Sequence, residues 1–257
     1  MKYQLRQIIS RPALQPVWLR LLKLCHAGLN YGGGQTVESS GEIGALDFAV
    51  RSIDHPEVLT LFDVGANDGE YLQAALKVLG SEVKVFSFEP QSSSCEILRS
   101  RFSRNERVQI CDAALGSEAG SAELYFSSDR ESTASLHEVR TLNSLRSETV
   151  RVTTIDRFCT DEGIGHIDIL KIDTEGHEMD VLLGAAEMLG SDRISAIQFE
   201  FGETFLPTKY HFVDIFAFLS PRYRIFRILR RGLVEVVTYS HDLEIYKLAN
   251  FMCIRKR

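Results

Sequence analysis

The chain has 257 residues, 44% of them hydrophobic and 25% charged, with a formal net charge of −6. That length buries a sizeable core in one α/β domain, and the acidic balance excludes nucleic acid as the main partner, because such partners require a basic footprint. The five cysteines, Cys25, Cys95, Cys111, Cys159 and Cys253, are scattered and unpaired in spacing, which excludes a disulfide framework or thiolate zinc site and reads as a reducing, cytoplasmic setting.

Residues 1–37 hold five Lys/Arg and no acid. Leu14, Trp18, Leu21 or Leu22, and Cys25 share one helical face. The first reading is a helix packed on the domain; the second is a weak peripheral contact with an acidic membrane surface or partner. No transmembrane segment is expected, because Val17–Cys25 is short and broken by Arg20 and Lys23. From Leu59 the chain alternates strand and helix: Leu59–Val64, helix Glu70–Leu79, strand Val83–Phe88, helix Ser92–Arg101, strand Val108–Cys111. After an insertion rich in Ser, Thr, Glu and Arg (Gly116–Thr149), with one strand at Ala122–Phe126 and an edge strand at Val150–Thr154, come strand Ile167–Ile172, helix Glu178–Leu189 and strand Ile194–Glu200. Strands separated by helices pair in parallel through right-handed crossovers, giving a doubly wound sheet. Tyr223–Leu229 and Leu233–Tyr239, joined at Arg231-Gly232, and Asn250–Ile254 read instead as a hairpin or antiparallel ending. Residues 1–45 are taken as an N-terminal helical extension and 46–257 as one Rossmann-like domain.

The first strand runs into Asp63-Val-Gly-Ala-Asn-Asp-Gly69. Gly65 permits a sharp turn and close backbone approach to a ligand, and Gly69 opens the next helix, whose amides face whatever binds. The spacing is not the Gly-x-Gly-x-x-Gly that seats a pyrophosphate. Glu89, twenty residues on in Phe88-Glu89-Pro90, is placed to accept two ribose hydroxyls. Asp63 offers a carboxylate to an amino group, and Asp112, followed by Ala113, offers one to adenine. Acids at three successive strand tips suit an adenosine carrying an amino acid, as in S-adenosyl-L-methionine.

The fourth strand ends in Lys171-Ile-Asp-Thr-Glu-Gly-His-Glu178, and the fifth brings Glu200 to the same rim. Asp173, Glu175, His177 and Glu200 are candidate bases for deprotonating an acceptor hydroxyl during methyl transfer. His177 also reads as a helix N-terminal residue and Glu178 as first-turn charge. Lys171, in a buried strand, calls for a carboxylate partner. Asp173, Glu175 and Glu200 could together bind a divalent cation through oxygens, a reading not favoured because no His stands at ligand spacing.

These strings resemble the FkbM family of methyltransferases, as do Ser40-Gly-Glu42, Ser135-Leu136, Phe199-Glu-Phe-Gly202 and Ala249-Asn-Phe251. The resemblance covers most of the chain beyond about residue 30 and implies a class I methyltransferase fold: a seven-stranded, mostly parallel sheet with an antiparallel last strand. It implies O-methylation of a small-molecule or glycan acceptor, commonly a sugar or a secondary metabolite. Asp63, Gly65, Ala66, Asn67, Gly69 and Glu89 would then hold the cofactor, Asp173, Glu175 and Glu200 would line the acceptor side, and Ser40, Gly41 and Glu42 would close over the cofactor. Loops Ser127–Ser147 and Glu203–Tyr210 are expected to form the acceptor pocket. The arginines at 222, 224, 227, 230 and 231 read as a solvated strand and turn, or as a grip on a phosphorylated substrate. The competing functions are an NAD-dependent dehydrogenase, disfavoured by the glycine spacing, and a non-catalytic module that binds the cofactor without turnover.

Overall fold

The computed structural model describes residues 9–33, 36–53, 57–127, 130–136 and 145–257. A 14-residue helix, α1 (Gln15–Gly28), precedes α2 (Val37–Ser40) and α3 (Glu42–Ser52). Then follow β1 (Leu59–Val64), α4 (Glu70–Leu79), β2 (Val83–Phe88), α5 (Ser92–Phe102) and β3 (Val108–Cys111). β4 (Ala114–Leu115) precedes the insertion, from which come β5 (Gly120–Ser127), β6 (Arg130–Ser135) and the start of β7 (Leu145–Thr153). The chain resumes with α6 (Ile155–Glu162), β8 (Ile167–Ile172), α7 (Glu178–Leu183), α8 (Ala186–Gly190) and β9 (Ile194–Phe201). It closes with α9 (Phe212–Leu219), β10 (Tyr223–Ile228), β11 (Leu233–Glu235) and β12 (Ala249–Arg255).

The main sheet has the order β11-β10-β12-β9-β8-β1-β2-β3. β1, β2, β3, β8 and β9 pair in parallel, and β12 is antiparallel to both β9 and β10. The doubly wound sheet with an inserted antiparallel last strand is therefore present, and β11 adds a short eighth strand as a hairpin with β10. All six residues of β8 are buried. Successive side chains of a strand point to opposite faces, so a strand covered on both sides reads as a continuous apolar run. Phe62, Phe88, Leu170, Ile172 and Phe199 pack on one face with α6 to α9. Leu59, Leu61, Ile169 and Ala196 pack on the other with α3 and α4, through Ala45, Leu46, Tyr71, Leu72 and Ala75. α6 starts where it does because the Thr154 hydroxyl accepts from the Arg157 amide at 3.1 Å, an N-cap worth about 1 kcal/mol.

Three expectations are corrected. The insertion is a second sheet, β4-β7-β5-β6, in which β5 and β7 pair over eight residues; β7 is an interior strand of it rather than an edge. The expected helix Glu178–Leu189 is broken into α7 and α8, since Gly184 packs directly on the Gly116 carbonyl and its own carbonyl accepts from the Asp156 amide. α1 is not packed on the domain: none of its residues is buried. α3 spans residue 45, and its Ala45, Leu46 and Ala49 belong to the sheet's core.

Candidate active site

A cleft opens beyond the carboxyl ends of β1, β2 and β8, where a doubly wound sheet binds its ligands. It encloses about 710 Å³ of empty space, open solvent at its mouth included. Gly65 and Asn67 form its floor, Glu89, Pro90 and Gln91 one end, and Asp173, Thr174, Glu175 and His177 the other. Phe88, Ala113, Leu115, Leu124 and Leu136 supply apolar walls, so the second sheet closes the side of the cleft.

The floor depends on one conformation. Gly65 has φ +79°, and a Cβ there would run into the Asp173 carbonyl oxygen, so β1 and the turn after β8 approach as closely as backbones can. Gly65→Ala is expected to lose about 2–3 kcal/mol of stability from the left-handed backbone and the collision together, read by denaturant unfolding; an unchanged midpoint would contradict this. Asn67 (φ +47°) and Glu175 (φ +54°) also sit in the left-handed region, and non-glycine residues held there cluster at ligand sites.

Glu89 is pinned. Its carboxylate accepts from the Asn67 amide and the Gln91 amide, each at 2.8 Å, leaving lone pairs for a ligand's hydroxyls. Burial pushes its pKa up to about 7, against the pull of those two amides. Three more of the loop's amides are engaged: Gly65 and Ala66 donate to the Phe88 carbonyl and Gly69 to the Ala66 carbonyl. A pyrophosphate needs such amides free, which weighs against a dinucleotide.

At the opposite end, Lys171, 5% exposed, donates to Asp173 at 2.9 Å and stands 4.0 Å from Asp63 and 4.8 Å from the centre of the Tyr71 ring. The expected carboxylate partner is Asp173. Burial alone would lower the Lys171 pKa, but Asp173, Asp63 and Glu42 more than reverse this and raise it. Burial, with Asp173 and Glu178 beside it, lifts Glu175 to about 8. Glu178 accepts from the Thr174 amide at 2.8 Å and the Gly176 amide at 3.1 Å, so it shapes the turn that presents Asp173 and Glu175. His177 is the residue before α7, lines the cleft and lies 3.9 Å from Asp180.

Several expected site residues stand elsewhere. Asp63 is fully buried on the face under α3 and α4, with no hydrogen bond to either carboxylate oxygen among the described residues. Glu42 lies on that face too, accepting from Gln198 and Ser40 at 2.7 Å each, and Gln198 accepts in turn from the Tyr71 hydroxyl at 3.3 Å. Glu200, one strand residue beyond Phe199, follows Gln198 on that side and does not line the cleft; burial and the nearby Asp173 and Glu175 raise its pKa. Asp112 is half exposed and ion-paired with Arg99 at 3.0 Å, while Ala113 lines the cleft. Ala66 is buried outside the lining, and Gly69 lies against Leu98 and Phe102 of α5, a helix-packing position. Gln198 and Tyr71 are members of this buried row that sequence reasoning misses; the signal for the first is a glutamine within the mostly apolar run Ile194–Phe201.

The loop after β9 packs on the turn after β8, where a Cβ at Gly176 would meet the Thr204 carbonyl. Of the expected acceptor loop Ser127–Ser147, residues 128–129 and 137–144 lie outside the described residues. Of the arginine cluster, Arg224 forms a double hydrogen bond with Glu235, Arg227 stacks on Tyr31, and Arg222 stands 3.9 Å from Asp192. Among the described residues no group of three His, Cys, Asp or Glu is arranged to hold a metal ion.

Four of the carboxyls named here titrate high: Asp63 near 6, Glu89 and Glu178 near 7, Glu175 near 8. Each holds its proton more tightly folded than unfolded, so folding takes up protons between the ordinary carboxylate range and about pH 8, and stability falls as pH rises through that window. The ligand-free chain is expected to melt several degrees higher at pH 6 than at pH 8 by scanning calorimetry; a higher melting point at pH 8 would contradict the assignment.

Residues 63–228, well over half of the chain, match the family described as the methyltransferase FkbM domain. The 2-O-methyltransferase NoeI of Sinorhizobium fredii is 24% identical over 157 residues, which is 56% of this chain and 64% of that protein. The hexuronic acid methyltransferase AglP of Haloferax volcanii is 24% identical over 162 residues, 63% of this chain and 64% of that protein. The aligned region thus spans less than two thirds of the length of either relative. The solved structure of methyltransferase FkbM from Methylobacillus flagellatus has the same fold, with a TM-score of 0.50 at 17% identity over 78% of this chain and 44% of that one. With the family's match running from the tip of β1 to the end of β10 and taking in both ends of the cleft, the chain belongs to the FkbM methyltransferase domain family.

Proposed function

We propose that the chain is an S-adenosyl-L-methionine-dependent O-methyltransferase acting on a sugar hydroxyl. The observation that carries this reading is the division of one cleft: a pinned Glu89 at one end, Asp173 and His177 at the other, and apolar walls between. Glu89 would accept the two ribose hydroxyls, and the walls at Ala113, Leu115 and Leu124 would flank the adenine. When bound, the cofactor supplies a methyl group already activated on a sulfonium. Asp173, one-third exposed and held by Lys171, would accept the acceptor's proton as its oxygen takes the methyl group. Glu175, protonated below about pH 8, is suited to donate a hydrogen bond rather than to act as base. The names of the two relatives, one a 2-O-methyltransferase and one acting on a hexuronic acid, support a sugar as acceptor.

The test is to supply isotopically labelled S-adenosyl-L-methionine with a panel of monosaccharides, uronic acids and oligosaccharides, and to follow label into an alkali-stable methyl ether. Transfer to at least one sugar hydroxyl is the expected result. Cofactor binding without transfer to any acceptor would favour the non-catalytic module.

A further inference from the structure

α1 is an apolar helix none of whose residues is buried; among the described residues its side-chain contacts include the Trp18 indole donating to the Ile9 carbonyl at 2.6 Å and His26 edge-on to Tyr31. Val17, Trp18, Leu19, Leu21, Leu22 and Leu24 are between 40% and 69% exposed. A monomeric protein rarely leaves such a contiguous apolar surface uncovered. At 3.6 residues per turn, all of these but Leu19 fall, with Cys25, within an arc of about 160°. Arg20, Lys23 and His26 lie across from them. Residues 1–37 carry five basic side chains and no acid. The remaining 220 residues hold the other 24 Lys/Arg and all 35 Asp/Glu, a balance of −11 against +5 for the first 37. No helix among the described residues is long and apolar enough to cross a membrane.

We propose that α1 is an interfacial anchor that lays its apolar arc into the surface of an anionic lipid bilayer. Apolar burial and attraction between basic side chains and anionic headgroups act together in such helices. The charge split favours lipid over a second copy of the chain, since two basic segments would face each other in a dimer through α1. The anchor is also tied to the domain in a definite place. After α1 the Asn30 side chain donates to the carbonyls of Ser40 and Ile228, and the Gly32 amide donates to Leu248 at 2.8 Å. Ile228 ends β10, and Leu248 precedes Ala249, which pairs with Phe201 at the end of β9. The helix therefore joins the sheet at its carboxyl rim, the rim at which the cleft opens, and docking brings that rim toward the bilayer.

Trp18 is the only tryptophan in the chain, so its emission reports on α1 alone. The full chain is titrated with vesicles of phosphatidylcholine and with vesicles of phosphatidylcholine and phosphatidylglycerol, reading emission and co-sedimentation. The expected result is a blue shift and co-sedimentation with the anionic vesicles, at least about tenfold tighter than with the zwitterionic ones. Arg20→Glu with Lys23→Glu should remove that preference, and Leu21→Gln with Leu22→Gln should remove the blue shift. Because α1 contributes no buried residue, these variants should keep the melting point of the parent, which checks that they fold. Absence of binding to anionic vesicles, or equal binding to both, would overturn the proposal. So would a blue-shifted emission without vesicles accompanied by a dimer in analytical ultracentrifugation, which would assign the helix to a second copy.

Discussion

Lys171→Met is expected to destabilise the ligand-free protein by about 3–5 kcal/mol at pH 8, because removing one partner of a buried ion pair strands the other charge. Lys171 is the cation of a row running across three neighbouring strands, where Asp63 pairs in register with Lys171 and Lys171 with Gln198. Methionine fills much of the same volume, so the loss comes from charge rather than from a cavity. The stranded group is Asp63, which is fully buried and, among the described residues, has no hydrogen bond to either oxygen. Burial already lifts its pKa to about 6 while Lys171 holds it down. Without the lysine it rises further, so the proton needed to neutralise Asp63 is taken up at neutral pH. The deficit of the variant should therefore be smaller at pH 5.5 than at pH 8. Urea unfolding at the two pH values measures this. A deficit below about 1 kcal/mol at pH 8, in the range of an exposed ion pair, would show that Lys171 is not the charge that holds this row together.

Asp173→Asn is expected to lower kcat by about a hundredfold or more, the lower range for removing a general base. Asparagine keeps the side chain's shape and an oxygen that accepts from Lys171, so the turn after β8 should hold. The dissociation constant for S-adenosyl-L-methionine should change by less than about threefold, since Glu89 and the Gly65 floor are untouched, whereas a lost transition-state interaction appears in kcat. Single-turnover kinetics beside a binding titration separates the two. An equal loss in binding and in turnover would make Asp173 a ligand of the cofactor, and an unchanged kcat would leave His177 as the base among the residues lining the cleft.

The parts of this molecule legible from sequence are those where burial leaves a pattern. β1, β2 and β8 are short apolar runs buried on both faces, and the glycine turn and Glu89 follow them at fixed distances, so the strand bounds and the place of Glu89 at a strand tip can both be read. The second sheet is legible only in part: the apolar residues of Ala122–Phe126 and Val150–Thr154 mark pieces of β5 and β7, but β6 and the start of β7 carry mostly Ser, Thr, Glu and Arg, and such stretches look like polar loops until their pairing is seen. Spacing places a residue near a strand tip but does not decide which face its side chain takes. Val64 lines the cleft while Asp63, its neighbour, points under α3 and α4. Glu42 and Glu200 belong to that same hidden face, where Gln198 joins Glu42 to Tyr71. Asp112 was readable as an acid after β3, but its salt bridge to Arg99 depends on α5 passing beside it. In α1 the periodicity showed an apolar face correctly and said nothing of what covers it.

The cleft as a whole is tested most directly by calorimetric titration of the protein and its Glu89→Ala variant with S-adenosyl-L-methionine and S-adenosylhomocysteine. Glu89 has its carboxylate already oriented by two amides, so little ordering is required when hydroxyls arrive, and charged hydrogen bonds of this kind contribute about 1.5–3 kcal/mol each. The predicted result is micromolar binding of both ligands by the parent and a loss of about a hundredfold or more in the variant, with the parent's affinity weakening as pH falls below about 7 and Glu89 takes up a proton. Folded parent protein that binds neither ligand, or a variant that binds as well as the parent, would contradict the assignment of this cleft to the cofactor.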